Sequence, residues 1–217
     1  MTLQPPIETD AVALVKQIFL QSCAAAGITV EIGRLPAASV QMPERRKAES
    51  ALARTLARGV LQRHGVAHAQ LDRHADGFAM WPAGWAGSLA HSGGWSVAAL
   101  ARTAQLRCVG IDVEDPARMK RALWGHIMTP AEQAAADAMA ADAAQLRAAA
   151  VFSAKEAVYK AIYPLLGSAP GFQQAELQWQ SAAAFCVSVP PKWAVQLQGC
   201  AAVFDGMLFA VVWQAAA

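Results

Sequence analysis

Apolar residues recur at helical spacing in the segment that follows Pro43. An apolar stripe runs along this segment, and its members are Leu52, Leu56, Val60 and Leu61. Pro43 suits the start of a helix, and Gly65 lies where a glycine C-cap is expected. The pattern predicts a helix of about five turns over residues 44–65, with basic side chains on its other faces.

The middle and the end of the chain contain runs that are typical of strands. Residues 95–101 and 105–114 are β-like and are separated by a short polar turn, which predicts a hairpin. A second hairpin is predicted where residues 201–204 and 207–213 flank Asp205-Gly206, a pair that fits a tight type I′ turn. Residues 72–94 are rich in Gly, Pro, Trp and Ser, and we predict a long loop there.

A further helix is predicted from Thr129 to Tyr163. In TPAE, Thr129 suits the N-cap, proline the first turn and Glu132 the capping box. We expect a break near Asp142 and an end before Pro164. Residues 11–26 predict a short helix or a mixture of strand and helix. Because helices and strands are mixed without strict alternation, the pattern favours an α+β fold.

Composition removes several classes of protein. Hydrophobic residues make up 55% of the 217 residues, much of that alanine, and charged residues 16%, which argues against disorder. The chain has no 18-residue apolar run and no secretory leader, so we expect a cytoplasmic protein without a membrane span. A net charge of +2 gives no indication of nucleic-acid binding. The four cysteines lack the spacing of a zinc site or a disulfide framework, and small core residues are expected.

Two segments carry candidate carboxylates. In GIDVE, Asp112 and Glu114 are two residues apart on a strand, so they point to the same face while Val113 points to the core. A bound Mg²⁺ would relieve their repulsion; solvated acids at a strand end are the alternative. In FSAKEAVYKAIYP, Glu156 and Lys160 are four residues apart on a largely apolar helix, next to Lys155. The alternative for this set is an ordinary surface ion pair.

Two further segments carry candidate anion ligands. His91 ends the glycine-rich segment WPAGWAGSLAH, where it could meet a ligand or serve a structural role. Ser88 beside it does not indicate a hydrolase, because the G-x-S-x-G motif is absent. Arg46 and Arg54 lie on neighbouring faces of the basic helix and suit phosphate groups, although a solvated charged face is the alternative.

Taken together, these segments resemble the 4′-phosphopantetheinyl transferases, specifically the surfactin-type and enterobactin-type branch. That family has a basic segment that ends in arginine, followed by WPxGxxGSxxH, GIDxE and FSAKEAxYKA. This chain has ERRKAESALAR, WPAGWAGSLAH, GIDVE and FSAKEAVYKA, and a weaker match continues into GFQQAELQW. The resemblance extends from about residue 44 to 179, and the combination of GIDVE with FSAKEAVYKA is its most specific part.

The resemblance implies a fold and a reaction. Two similar α+β lobes, residues 1–105 and 106–217, would be related by a pseudo-twofold, each with a small antiparallel sheet on a long helix. Coenzyme A would lie between them. The enzyme would transfer the phosphopantetheine arm of coenzyme A to a serine of an apo carrier protein of fatty acid, polyketide, siderophore or other peptide synthesis. Adenosine 3′,5′-bisphosphate would be released, and we expect a monomer.

The resemblance also implies roles for individual residues. The implied metal ligands for Mg²⁺ or Mn²⁺ are Asp112, Glu114, Glu156 and the Val113 carbonyl. The implied catalytic residues are Glu156 as base, kept ionised by the metal and two ammonium groups, with Lys160 and Asp112. The implied coenzyme A contacts are Arg46, Arg54, Arg73, Ala90, His91, Lys155 and Lys160, with His91 on the 3′-phosphate.

This chain departs from the family pattern at three places. Ala90 replaces a usual Ser or Thr, Ala53 replaces a common glycine, and Asp76 stands in a segment that is often basic. Each departure is expected to weaken coenzyme A binding without abolishing it. A non-catalytic coenzyme A or carrier-binding module and a Mg²⁺-dependent phosphohydrolase are the alternatives. A non-catalytic module would be expected to have lost an acidic ligand or Lys160, and neither is lost in this chain. A phosphohydrolase would leave the FSAKEAVYKA helix unexplained.

Overall fold

The computed structural model describes residues 7–36 and 44–216. Its helices are α1 (Ile7–Ala25), α2 (Glu44–Arg63), α3 (Trp124–Ile127), α4 (Pro130–Asp137) and α5 (Ala141–Leu166). Its strands are β1 (Thr29–Arg34), β2 (Trp85–Ser92), β3 (Trp95–Arg102), β4 (Leu106–Glu114), β5 (Glu176–Trp179), β6 (Ala184–Ser188), β7 (Leu197–Phe204) and β8 (Met207–Ala215). The predicted helix start at Pro43 lies outside the described residues.

The strands form two antiparallel sheets, which confirms the α+β class. The order is β1-β3-β2 in the smaller sheet and β4-β8-β7-β6-β5 in the larger one. Helix α2 packs on the smaller sheet and α5 on the larger one, and each contact is apolar. The sheets divide between Arg102 and Leu106, close to the predicted lobe boundary at residue 105. The pseudo-twofold relation stays a prediction.

Helix α1 does not follow this division of the chain. Its Phe19 ring lies 5.8 Å from the ring of Phe204 at the end of β7, measured between centroids. Its Cys23 sulfur lies 4.0 Å from that of Cys200, also on β7. All four cysteines are free thiols, and three of them are buried, as expected of core residues. The N-terminal helix therefore packs against the larger sheet, which is built from the C-terminal half of the chain.

The predicted hairpin over residues 95–101 and 105–114 is wrong. Strand β3 pairs with β1 on one side and β2 on the other, whereas β4 pairs with β8. Because both edges of β3 are occupied, the strand that follows Arg102 cannot pair with β3. The short polar turn instead carries the chain from one sheet to the other.

The predicted loop over residues 72–94 is correct only as far as Gly84. Residues 85–92 form β2, so His91 lies on a strand. Glycine obscured the strand pattern, and Gly87 has a packing reason to be there. A Cβ on Gly87 would lie 2.6 Å from the ring of Trp81, which covers the strand at that point.

Other sequence predictions are confirmed or corrected. The β7–β8 hairpin turns at Asp205-Gly206 with φ values of 52° and 73°, as a type I′ turn requires. Thr129 and Glu132 form the predicted capping box, and a break separates α4 from α5. The predicted end before Pro164 is wrong: helix α5 includes Pro164 and ends at Leu166, where Gly167 caps it in the left-handed conformation by donating to the Tyr163 carbonyl. Within the described residues, no helix has the length and apolarity needed to cross a membrane.

Helix α5 and strand β4 make a close backbone contact at Gly110. A Cβ at this position of β4 would lie 1.9 Å from the carbonyl oxygen of Ala157 on α5, which is inside any allowed contact. Only glycine lets the helix backbone lie directly on the strand here. This contact places the α5 side chains on either side of Ala157 over the end of β4.

We expect Gly110→Ala to lower the free energy of unfolding by about 3 kcal/mol or more, the upper end of the cost of overpacking. For a chain of this size that corresponds to a melting temperature about 6–12 °C lower. Thermal unfolding followed by circular dichroism measures the change.

Gly125→Ala is the matched control, because a Cβ on Gly125 of α3 meets no atom within 4 Å. It should leave the melting temperature unchanged or raise it slightly, since alanine favours a helix over glycine. Equal effects of the two substitutions would contradict the packing argument.

Candidate functional site

A cavity of about 950 Å³ lies between α2, the segment around residues 73–81, β2 and α5. Six residues that the sequence singled out line it, and they come from four distant segments: Arg46, Arg54, Arg73, His91, Glu156 and Lys160. Its volume is at the upper end of the usual range of small-molecule sites. The fold therefore brings the basic helix, the glycine-rich segment and the FSAKEAVYKA helix to one place.

The charged residues that line this cavity are predominantly basic. Five lysine and arginine side chains face two carboxylates; they are Arg46, Lys47, Arg54, Arg73 and Lys160, against Asp76 and Glu156. Ser50, one turn before Arg54, accepts a hydrogen bond of 2.7 Å from the Arg54 guanidinium and so restrains it. A concave surface with this excess of cations attracts anions such as phosphates.

Asp112 lies just beyond the cavity lining, beneath α5. Both oxygens of its buried carboxylate accept hydrogen bonds from this helix. The Lys160 ammonium donates to Oδ1 at 2.6 Å, and the Ser153 hydroxyl donates to Oδ2 at 2.8 Å. Lys160 therefore links the buried acid of β4 to the cavity, where the lysine side chain is 28% exposed.

Asp112 also acts on the two neighbouring glutamates. Burial, followed by the negative charge of Asp112, raises the pKa of Glu114 above its usual range. The same two causes raise the pKa of Glu156, and Lys160 partly opposes them. Because each glutamate experiences the charge of Asp112, the three predicted metal ligands are electrostatic neighbours.

A divalent cation would relieve the repulsion among these carboxylates. Their oxygens are the ligands that Mg²⁺ prefers, and no thiol or imidazole is needed. In the described part of the chain, however, no three His, Cys, Asp or Glu side chains stand in an arrangement ready to hold a metal ion. Lys160 already occupies Oδ1 of Asp112, so a cation bound there would compete with this ammonium group.

Lys155 is placed differently from the sequence prediction. Its ammonium group is buried, with the side chain 1% exposed, and it is not part of the cavity lining. It donates to Glu132 Oε2 at 2.6 Å and to the carbonyls of Ile127 and Phe172 at 2.8 Å each. All three donors are used inside the protein, so Lys155 connects α5 to the segments before α4 and β5. Burial lowers its pKa, and the pairing with Glu132 opposes that shift.

This placement changes the expectation for Glu156. The sequence analysis expected two ammonium groups to keep it ionised, but only that of Lys160 acts on it. Two other predicted contacts face the core, since the side chains of Ala90 and Val113 are buried in an apolar cluster. A contribution from their backbone atoms stays a prediction.

The cavity also has an aromatic part, which the sequence motifs did not indicate. Phe78, Trp81, Tyr159 and Tyr163 line it, and the rings of Tyr159 and Tyr163 stack with centroids 5.0 Å apart. The charge of Asp76, which also lines the cavity, raises the pKa of the Tyr163 hydroxyl. The spacing of four residues between the tyrosines on α5 was the available indication.

The sequence analysis also missed Glu49, a buried carboxylate on α2. It lies on the face of the helix that carries the buried Ala53 and Ala57, at helical spacing. The apolar stripe of the sequence hid it, because Leu52 and Leu56 are only half-buried and lie over Gly33 instead.

Two family models match the chain in sequence. The model of the 4′-phosphopantetheinyl transferase N-terminal domain matches residues 35–101. The model of the 4′-phosphopantetheinyl transferase superfamily matches residues 108–205. The chain belongs to this superfamily. The two matches meet near the division between the sheets, and they include every segment that contributes to the cavity.

Individual relatives agree with this assignment. The 4′-phosphopantetheinyl transferase Svp of Streptomyces mobaraensis is 35% identical over 130 residues, which cover 59% of this chain and 53% of that protein. PptT of Mycobacterium tuberculosis, named as the same kind of enzyme, is 34% identical over 143 residues, which cover 63% and 60%. The chain thus spans between about half and three fifths of the length of these curated relatives. The solved structure of the holo-[acyl-carrier-protein] synthase of Thermotoga maritima aligns with 50% of this chain. The alignment covers 63% of the synthase chain, with a TM-score of 0.43 and 21% identity.

The buried position of Lys155 predicts a stability defect when its charge is removed. Lys155→Met keeps the length of the side chain but leaves Glu132 buried without its ammonium partner, which typically costs about 3–5 kcal/mol. The free energy of unfolding in urea measures this loss. Lys120→Met is the control, because Lys120 is exposed and its ammonium group donates to the Ala117 carbonyl at the surface. Its effect should stay within about 0.5 kcal/mol, and a similar small effect at Lys155 would contradict the buried-pair assignment.

Proposed function

We propose that this protein transfers the 4′-phosphopantetheine arm of coenzyme A to a serine of an apo carrier protein. The single observation that carries the proposal is the composition of one cavity. Basic side chains of α2 and His91 of β2 share it with Glu156 and Lys160 of α5. Coenzyme A has a pyrophosphate and a 3′-phosphate, so its anionic groups match the excess of cations in the lining.

The reaction needs one bond to form and one to break. The serine oxygen of the carrier forms a bond to the phosphorus next to the pantetheine arm, and the bond from that phosphorus to the bridging pyrophosphate oxygen breaks. Adenosine 3′,5′-bisphosphate leaves with this oxygen. The serine proton passes to the Glu156 carboxylate, directly or through a water molecule. Lys160 stabilises the charge that develops on the pyrophosphate oxygens.

Mg²⁺ fits the chemistry of the carboxylates in this proposal. Asp112, Glu114 and Glu156 would hold it, with the Val113 carbonyl nearby, and it would neutralise charge on the pyrophosphate. The electrostatic support is the raised pKa of Glu114 and Glu156 beside Asp112. Within this arrangement Asp112 orients Lys160, and Arg46, Arg54, Arg73 and His91 hold the phosphates of coenzyme A.

The direct experiment uses mass spectrometry. The protein is incubated with coenzyme A, Mg²⁺ and apo carrier proteins of fatty acid, polyketide and peptide synthesis, and the mass of each carrier is measured. Gain of the phosphopantetheine arm on the carrier serine supports the proposal. Hydrolysis of coenzyme A without carrier modification would favour a phosphohydrolase, and binding without any turnover would favour a non-catalytic module.

Glu156→Gln tests the base. The amide keeps size and one oxygen ligand but removes basicity, so transfer should slow by about two to four orders of magnitude. Affinity for coenzyme A, measured by calorimetry, should stay near the wild-type value. Asp142→Asn is the matched control, a loss of one exposed carboxylate in the first turn of the same helix. A loss of affinity in proportion to the loss of rate would reduce Glu156 to a metal ligand.

The metal is tested through the stability of the fold rather than through activity. At about one hundred times its dissociation constant, a cation that binds only the folded protein stabilises it by about 2.7 kcal/mol. For this size of chain, the melting temperature should rise by about 5–10 °C.

Asp112→Asn should remove this rise, whereas Asp142→Asn should retain it. Sodium chloride at matched ionic strength controls for general salt effects. An Asp112→Asn protein that is stabilised by Mg²⁺ as strongly as the wild type would place the cation elsewhere.

A further inference from the structure

Glu49 is a buried carboxylate on α2 that lies behind His91, a residue of the cavity lining. Only 3% of this residue is exposed. Its Oε1 accepts a hydrogen bond of 2.6 Å from the Gly94 backbone and lies 3.3 Å from the Arg45 guanidinium. Its Oε2 lies 3.1 Å from Nδ1 of His91. Glu49 therefore joins helix α2 to both the turn after β2 and the histidine on β2.

The contact with Glu49 determines how the His91 ring is used. A carboxylate accepts hydrogen bonds and cannot donate them, so the proton shared with Glu49 belongs to Nδ1. Nε2 is then the ring nitrogen that is left for a ligand, and the His91 side chain is 30% exposed and lines the cavity. The hydrogen bond made by one ring nitrogen thus fixes the role of the other.

We propose that Glu49 is a positioning residue that orients His91 toward the 3′-phosphate of coenzyme A. With a proton already on Nδ1, donation from Nε2 to a phosphate oxygen requires a doubly protonated ring. Such a ring would have an anion at each nitrogen, Glu49 on one side and the phosphate on the other. Charge-assisted hydrogen bonds of this kind are stronger than neutral ones. The inference rests on the proposed function, because that function assigns the 3′-phosphate of coenzyme A to His91.

A purely structural role for Glu49 is the competing explanation. Its carboxylate also holds the turn formed by Gly93 and Gly94, whose φ values are 60° and 90°. The backbone carbonyl of Glu49 accepts a hydrogen bond from the Ser96 hydroxyl. The two explanations differ in one respect: a turn defect would impair every substrate, whereas a misoriented His91 would impair only substrates with a 3′-phosphate.

The experiment compares Glu49→Gln, His91→Ala and the double variant on coenzyme A and on dephospho-coenzyme A, which lacks the 3′-phosphate. We expect Glu49→Gln to raise KM for coenzyme A about tenfold, as for the loss of one charge-assisted hydrogen bond. KM for dephospho-coenzyme A and kcat with both substrates should stay within about twofold, since the reacting phosphorus is not touched. In the His91→Ala background, Glu49→Gln should have no further effect on KM.

Glu31→Gln is the matched control. Glu31 on β1 forms an exposed ion pair with Arg63 of α2, so this substitution also removes a carboxylate that connects α2 to the smaller sheet, but outside the cavity. Neither KM should change. Equal increases of KM with both substrates for Glu49→Gln, or additive effects in the double variant, would overturn the positioning role.

A second measurement on the wild-type protein does not depend on turnover or on the folding of a variant. Nitrogen-15 NMR reports which ring nitrogens of His91 carry protons. We expect Nδ1 to be protonated in the free protein, and both nitrogens to be protonated with adenosine 3′,5′-bisphosphate but not with adenosine 5′-monophosphate. A free protein with its proton on Nε2 alone would refute the inference. If the wild type transferred the arm to no carrier, the proposed function would fail, while the NMR result would still decide the role of Glu49.

Discussion

The backbone contact between Gly110 of β4 and Ala157 of α5 is the constraint on which the site depends. The proposed site residues lie on either side of this contact: Glu156 precedes Ala157, Lys160 follows it by one turn, and Asp112 follows Gly110 on the same face of the strand. Because the helix lies directly on the strand, the Lys160 ammonium group is within 2.6 Å of the Asp112 carboxylate. A side chain at residue 110 would push the helix away from the strand and separate Asp112 from Glu156 and Lys160.

The two lysines of the FSAKEAVYKA helix differ in burial: the Lys155 side chain is enclosed by the protein, whereas the Lys160 side chain reaches the cavity. Lys155 meets a glutamate and two carbonyls, so all three of its donors have partners inside the protein. Lys160 meets Asp112 at the edge of a cavity, where two further glutamates have raised pKa values. The first arrangement is complete without a ligand, and buried pairs of this kind hold a fold together. The second leaves negative charge that a cation would neutralise, which is typical of a functional site.

The sequence predicted the parts of the molecule that have strong local patterns. The capping box at Thr129, the Asp205-Gly206 turn and the long basic helix depend on neighbouring residues, and all three are in the structure. The pairing of β3 with β1 could not be predicted, because it joins segments that are far apart in the chain, whereas the β2–β3 hairpin turns locally at Gly93-Gly94 and was missed. Strand β2 was obscured because Gly87 accommodates the Trp81 ring. The charged residues of the cavity were largely found from their motifs, but Glu49 was missed because its distinctive property, burial of a charge, arises from the folded structure.

The packing of α1 on β7 has a consequence for the order of events during synthesis. Phe19 and Cys23 leave the ribosome long before their partners Cys200, Phe204 and Phe209, since 177 residues separate Cys23 from Cys200. Domains usually fold as units while the chain emerges, from the N-terminus onward. Here helix α1 has to wait, with its apolar face exposed, until β7 and β8 have been made. The growing chain is exposed to aggregation and to chaperones during that interval, and folding of this part can be completed only after the β7–β8 hairpin has formed.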